Sequence, residues 1–252
     1  MDRVNVLSID FDFFQKVKPE TIVNYYPDGI DLPSTVSAFV WGGRYSQNEE
    51  ALLEVTVDNE KITELMHIIF QSIMRKRPVG MVANSHKHIY DFINKNSVGA
   101  INLVNIDMHH DMFNDNEKVN CGNWVGHIYK ERDTKLTWIA NPISREVYGL
   151  EEANFDIIES NFDSIKDTTW DLIFLCRSDN WTPPHLDSDF NRIADMLMKL
   201  CSPCQYEQGI TDSRYTDELK GMIEQEKKTL KELCNGIKST NESNNKVQTQ
   251  QL

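Results

Sequence analysis

Apolar runs with little alternation set the tightest limit on what this chain can fold into. Val4 to Ile9, Val79 to Ala83, Ala100 to Ile106 and Leu172 to Cys176 are dominated by Val, Ile, Leu, Met and Phe, as in strands covered on both faces. Further strands are expected at Val36 to Trp41, Leu52 to Val57 and Leu136 to Ala140. Helical stripes lie between them. Asp58 is a candidate cap for Ile62, Leu65, Met66, Ile69, Phe70 and Ile73, and Phe190, Ile193, Ala194, Leu197 and Met198 follow the Asp187-Ser-Asp turn. This alternation predicts an α/β protein with a mainly parallel sheet.

With 252 residues and 40% hydrophobic content, the chain can bury one large core. A single domain is expected over residues 1–210, then a C-terminal surface helix within 211–236, around Asp217 to Leu233. The end, KSTNESNNKVQTQQL, has no apolar period, so 237–252 is expected to be disordered.

The formal charge of −13 comes from 26 basic and 39 acidic residues. Such a surface repels phosphate backbones and attracts cations or basic peptides, which argues against a nucleic-acid partner. No apolar run approaches the roughly 20 residues that span a bilayer, and the N-terminus has no signal-peptide pattern. A soluble, cytoplasmic protein without a membrane partner is expected. The five cysteines are spread through the chain and are expected to be reduced. Cys201-Ser-Pro-Cys204 is either two incidental thiols, half a zinc site or a redox pair; no second CxxC accompanies it.

Three polar clusters follow apolar runs. INLVNIDMHHDMF places Asp107, His109 and Asp111 at alternate positions, on one side of an extended chain, with His110 out of step. LSIDFDFF does the same with Asp10 and Asp12, two carboxylates that would repel strongly if desolvated and that a cation would reconcile. ANSHKHIYDF carries His86 and His88, either able to offer a neutral imidazole. One cluster alone is explained equally by a solvated loop or a helix cap. Three behind separate strands point to about six ligands for two divalent ions. The oxygen-rich, thiolate-free set favours Mn²⁺.

These motifs resemble the ureohydrolase superfamily of arginases and agmatinases, which bind two Mn²⁺ ions through a His after a strand, a DAHxD motif and an SxDxD motif. Asp107-Met-His109-His-Asp111 matches DAHxD, with Met for Ala. Ser8-Ile-Asp10-Phe-Asp12 matches SxDxD. Asn84-Ser-His86 falls where the family has GGDH, which makes His86 the better candidate for the first ligand and His88 the alternative. The SxDxD motif, late in free-arginine arginases, comes first here, as a circular permutation would arrange it. In this the chain is similar to the peptide arginases, which convert arginine side chains of a ribosomal peptide to ornithine and release urea.

The resemblance implies a three-layer α/β/α, arginase-like fold, with Asp107 and Asp10 bridging two ions, His86 and Asp111 completing one site, and His109 and Asp12 the other. Asp111 would also orient the attacking hydroxide and take its proton. Cys121-Gly-Asn-Trp-Val-Gly126 resembles the SGNxHG segment: Asn123 keeps the substrate-side amide. Val125 replaces the shuttle His, and His127, two residues on, is the candidate for that role. DLIFLCRSDNWTPP resembles the strand ending in LRDxD, where Asp179 would meet the peptide. Losing the other carboxylates there suits a residue whose α-nitrogen is an uncharged amide. The implied partner is an arginine-containing precursor peptide. Rival readings are hydrolysis of a free guanidino compound, and a noncatalytic, metal-stabilised protein that binds basic peptides. FVWGGRYSQNEE is read as a strand turn or as a rim with Trp41, Glu49 and Glu50 near substrate. Trp181-Thr-Pro-Pro either shapes a groove or ends a strand.

Overall fold

A computed structural model describes residues 3–26, 32–113, 118–148 and 157–249. In chain order these form β1 (Val4–Asp10), β2 (Gln15–Lys16), α1 (Pro19–Tyr25), α2 (Ser34–Leu53), β3 (Thr56–Val57), α3 (Asn59–Arg75), β4 (Val79–Ala83) and α4 (His88–Asn96). There follow β5 (Ile101–Asp107), α5 (Trp124–Glu131), β6 (Thr134–Ala140), α6 (Ser144–Tyr148), β7 (Ile157–Glu159), β8 (Leu172–Cys176), α7 (Asp187–Leu200), β9 (Cys204–Tyr206) and α8 (Asp217–Thr249).

Seven strands make one sheet in the order β7-β6-β5-β1-β8-β4-β9, and every neighbouring pair is parallel. β1 is therefore the middle strand. Its pleat sends Leu7 and Ile9 to one face, where they pack with Val104, Ile106, Ile173 and Leu175 beneath α3 and α7. Val6 points to the other face, with Leu103, Leu136, Leu172 and Phe174 beneath α4 and α5. The result is a three-layer α/β/α sandwich, as expected.

Local chemistry explains the expected elements. Asp58 Oδ1 accepts the Lys61 N–H at 3.2 Å and starts α3. That helix buries Ile62, Leu65, Ile68, Ile69 and Ile73, each contributing about 1.5–3 kcal/mol by leaving water. A third apolar cluster, from α1, α2 and α8, joins Ile22, Tyr26, Trp41, Tyr45, Leu52, Leu219 and Ile223 to Met108. Since Met108 directly follows β5, this cluster covers the carboxyl end of the sheet.

Several expectations are corrected. Val36 to Trp41 and most of Leu52 to Val57 are not strands; they belong to α2 or the turn after it, with only Thr56–Val57 pairing to β2. Within α2, Ser37, Trp41 and Tyr45 are buried while Phe39 is exposed, a spacing of four that the local run of aromatic and β-branched residues hides. The proposed rim is thus a helix. Trp41 is fully buried and donates its indole N–H to the Asp179 carbonyl, and Glu49 is held by Lys227 and Tyr215. α8 begins at Asp217 as expected but runs on to Thr249. Lack of an apolar period predicts no packing, yet local backbone hydrogen bonds still sustain a helix. The folded unit also passes 210: the Arg214 side chain is buried and bonds Asp187 and the Asp179 carbonyl. Among the described residues no helix is long and apolar enough to cross a membrane.

Candidate metal centre

Parallel strands bring their carboxyl ends to one edge of the sheet, where ligands of open α/β sheets gather. β1 ends at Asp10, and the 3-10 turn Phe11–Phe14 then carries Asp12. β5 ends at Asp107, with His109 and Asp111 in the turn beyond. The segment after β4 supplies His86, whose ring lies parallel to Phe174 of β8 at 5.7 Å. The ligands therefore converge through turns and not along extended chain. Asp111 has φ 53°, the left-handed region, which costs about 1–2 kcal/mol outside glycine and re-aims its carboxylate toward His86.

Two buried sets, Asp10, His86 and Asp107, and Asp12, Asp107 and His109, each bring their ligand atoms within 4.8 Å of one another. Asp107 belongs to both. His86 Nδ1 stands 3.1 Å from Asp10 Oδ2, 3.1 Å from Asp107 Oδ2 and 3.0 Å from Asp111 Oδ2. His109 Nδ1 stands 3.1 Å from Asp12 Oδ2 and 3.6 Å from Asp107 Oδ1.

These are convergences rather than hydrogen bonds. His86 Nδ1 and Asp12 Oδ2 are buried without a hydrogen-bond partner among the described residues, and one N–H could serve at most one of three oxygens. Buried polar atoms left this way normally have an unseen partner. Oxygen and imidazole donors around a common point fit a divalent cation of the Mn²⁺, Fe²⁺ or Zn²⁺ type.

Electrostatics leads to the same conclusion. Asp10, Asp12, Asp107 and Asp111 are all buried, with two imidazoles for four carboxyls. Burial, then Asp10 and Asp107, pushes Asp12 up to about 8. Burial and the charge of Asp107 raise Asp10 and Asp111 too. At Asp107 burial is outweighed by His109 and His86, so it stays below the usual carboxylate range. At His86 burial favours the neutral ring, but Asp111, Asp10 and Asp107 outweigh it and raise the pKa well above the ordinary value. Without a cation the cluster must hold extra protons; with one it need not.

Outer groups fix the ligands. The Ser8 hydroxyl lies 2.6 Å from His86 Nε2. The Trp124 indole N–H donates to Asp111 Oδ2 at 2.5 Å, and its ring lies 4.9 Å from that of His86. The Met108 N–H reaches Asp12 Oδ1 at 3.2 Å, and the His109 N–H reaches Asp107 Oδ1 at 2.7 Å. Trp181 sets its ring 4.4 Å from that of His109. Trp124 was missed although it sits inside the CGNWVG segment, between Asn123 and His127. Its only sequence signal was an aromatic residue with an N–H beside the motif.

The other expected residues lie elsewhere. His88 opens α4 and faces Glu207 Oε1 at 3.3 Å, which leaves His86 as the ligand candidate. His127, on α5, sets its ring edge-on to Tyr90 at 6.2 Å. Asn123 is buried, its Oδ1 accepting the Asn120 N–H and its Nδ2 donating to the Lys118 carbonyl, so it braces that loop. Asp179 is gripped by Arg177 at 2.6 Å, with Arg214 at 3.4 Å. His110 turns to Phe113 and Trp138, its Nδ1 accepting the Met112 N–H, and burial first, then His109, pushes it down to about 4. The cluster's residues come from the ends of β1 and β5 and from the segments that follow β1, β4 and β5; the substrate-side candidates brace loops around it.

Compared with protein-family models, with curated proteins and with solved structures, the chain matches none of them.

Proposed function

We propose that this cluster binds two Mn²⁺ ions and that the protein is an arginase-like hydrolase of the ureohydrolase superfamily. Its reaction would convert arginine side chains within a ribosomally made peptide to ornithine and urea in the cytoplasm, with an arginine-containing precursor peptide as partner. The observation that carries this reading is the sharing of Asp107 between two buried ligand sets at the carboxyl ends of parallel strands. Asp10, His86, Asp107 and Asp111 would hold one ion, and Asp12, Asp107 and His109 the other.

A guanidinium is a stabilised cation and a poor electrophile, so its hydrolysis needs a strong nucleophile at neutral pH. Divalent ions held by these carboxylates and imidazoles would supply it by lowering the pKa of bound water. Asp111, fixed by the Trp124 N–H, would orient that water toward the guanidinium carbon and accept its proton. The same proton then goes to the side-chain nitrogen as its bond to that carbon breaks, and the water oxygen leaves in urea. In this account Asp111 handles the proton, because the His127 ring packs against Tyr90.

Asp179 favours a peptide over a free amino acid. Its carboxylate is engaged by Arg177 and Arg214, so it does not offer an uncompensated charge to an α-ammonium group. Formal charge of −13 would also draw a cationic peptide inward.

The test is mass spectrometry of arginine peptides and of free arginine with Mn²⁺-loaded protein, with a urea assay alongside. Loss of about 42 Da per arginine is expected for the peptide. Turnover of free arginine or agmatine alone would overturn the peptide assignment. Peptide binding without urea from any guanidino substrate would overturn catalysis.

A further inference from the structure

Outside the acidic cluster, the fold brings together, among the described residues, one pair of cysteine side chains. Cys201 ends α7, its N–H bonded to the Leu197 carbonyl, and Cys204 opens β9. The two thiols are neighbours, and each acts on the ionisation of the other. Both stand over Gly80 of β4, where a Cβ would lie 2.9 Å from Cys201 Sγ and 3.0 Å from Cys204 Sγ. Any larger residue at 80 would push into the sulfurs. The loop between them is pinned to β4 by Gly80 N–H to the Pro203 carbonyl and Ser202 N–H to the Pro78 carbonyl, each 2.9 Å.

The two sulfurs differ in access. Cys201 is buried, whereas Cys204 is partly exposed and lies on β9, an edge strand of the sheet. Neither belongs to a His, Cys, Asp or Glu group that could hold a metal among the described residues. A structural zinc site would need two further ligands. A reachable thiol backed by a buried one, both over the same glycine, is the arrangement of an exchangeable dithiol.

We propose that Cys201 and Cys204 form a reversible dithiol–disulfide site, with Cys204 attacking a low-molecular-weight disulfide and Cys201 resolving the adduct. In the first step the Cys204 thiolate attacks one sulfur of the disulfide, forms a mixed disulfide and releases one thiolate. In the second, Cys201 gives its proton to solvent and attacks the Cys204 sulfur, releasing the second thiolate. Two protein thiols are oxidised to one disulfide while one small disulfide is reduced to two thiols. The roles agree with the electrostatics. The neighbouring Cys201 thiol holds Cys204 below its ordinary value, and Cys204 together with burial raises Cys201.

The test uses the full-length protein in glutathione buffers of increasing oxidised fraction, then alkylation and peptide mapping. A Cys201–Cys204 link is expected, with Cys176 still reduced. Cys201→Ser should stop at a glutathione adduct on Cys204, while Cys204→Ser should label Cys201 about tenfold more slowly, or less. Circular dichroism checks both variants, and the wild-type map stands without them. Two thiols that stay reduced under fully oxidised glutathione would overturn the site. Labelling of Cys201 as fast as Cys204 would overturn the assignment of roles.

Discussion

The Ser8 hydroxyl lies 2.6 Å from Nε2 of His86, across the ring from the nitrogen that faces Asp10, Asp107 and Asp111. A neutral imidazole that presents the Nδ1 lone pair to a metal carries its proton on Nε2, and Ser8 Oγ is there to accept it. Ser8→Ala should therefore weaken metal binding about 10- to 100-fold while far-UV circular dichroism stays as it was. Calorimetric titration with Mn²⁺ checks this, and an unaltered affinity would remove Ser8 from the support of the site.

Asp107 and Asp12 should separate by stoichiometry. Asp107→Asn alters the one carboxylate common to both ligand sets and is expected to leave no tightly held metal and no urea release. Asp12→Asn touches one set only and should retain about one ion per chain. Metal content after gel filtration distinguishes them, and two ions retained by Asp107→Asn would refute the bridging role.

Trp124 makes binding visible. Its indole donates to Asp111 and its ring sits 4.9 Å from His86, so a paramagnetic ion such as Mn²⁺ bound there should quench its emission. The expected result is a saturable fall in fluorescence on titration that Trp124→Phe reduces, the remainder coming from Trp181 beside His109. Quenching of equal depth in the variant would place the ion elsewhere.

Acidity should act through Asp12, which burial and then Asp10 and Asp107 push up to about 8. The metal-free folded protein keeps a proton there that the unfolded chain releases near the ordinary 3.8. Its stability contribution thus declines as pH rises from about 4 to about 8. A cation needs the ionised carboxylate, so its affinity should rise across the same window with release of protons. Thermal unfolding with and without Mn²⁺ should show the larger metal-induced gain at about pH 8 and the smaller at about pH 5. The reverse order would contradict the placement of Asp12 among the ligands.

Arg214 donates to Asp187 through Nε and Nη2, to the Asp179 carbonyl through Nη1 and to the Thr182 carbonyl through Nη2. Arg214→Ala strands these partners and should cost about 3–5 kcal/mol, measured by urea unfolding. A loss below about 1 kcal/mol, the scale of an exposed pair, would show that water replaces the guanidinium.

The strands that carry the ligands were legible because parallel strands beneath helices must be apolar on both faces, and β1, β4, β5, β6 and β8 are. What lay just past them was harder to read. Period-two spacing brought Asp10 to Asp12, and Asp107 to Asp111, to one point on paper. The chain does it by a 3-10 turn and a left-handed residue, set by tertiary contacts. α2 was mistaken for strands because Phe39, Val40 and Trp41 form a β-like run, and only the burial of Ser37, Trp41 and Tyr45 exposes its helical period. β7 and β9 are three residues each, too short for alternation to register. Arg214 lies in a polar stretch that gives no hint of burial.

The position of β1 in the sheet has a consequence for how the molecule is made. Its first partner, β5, pairs Val4 with Ile101, and its second, β8, pairs Val6 with Leu172. Both edges of the strand that presents Asp10 thus stay open until distant segments leave the ribosome. Contacts so far apart in sequence slow folding and prolong the exposure of sticky edges. Production should accordingly favour cool, slow expression or a holding chaperone, and a swap of β1 between two copies is the misassembly to watch for.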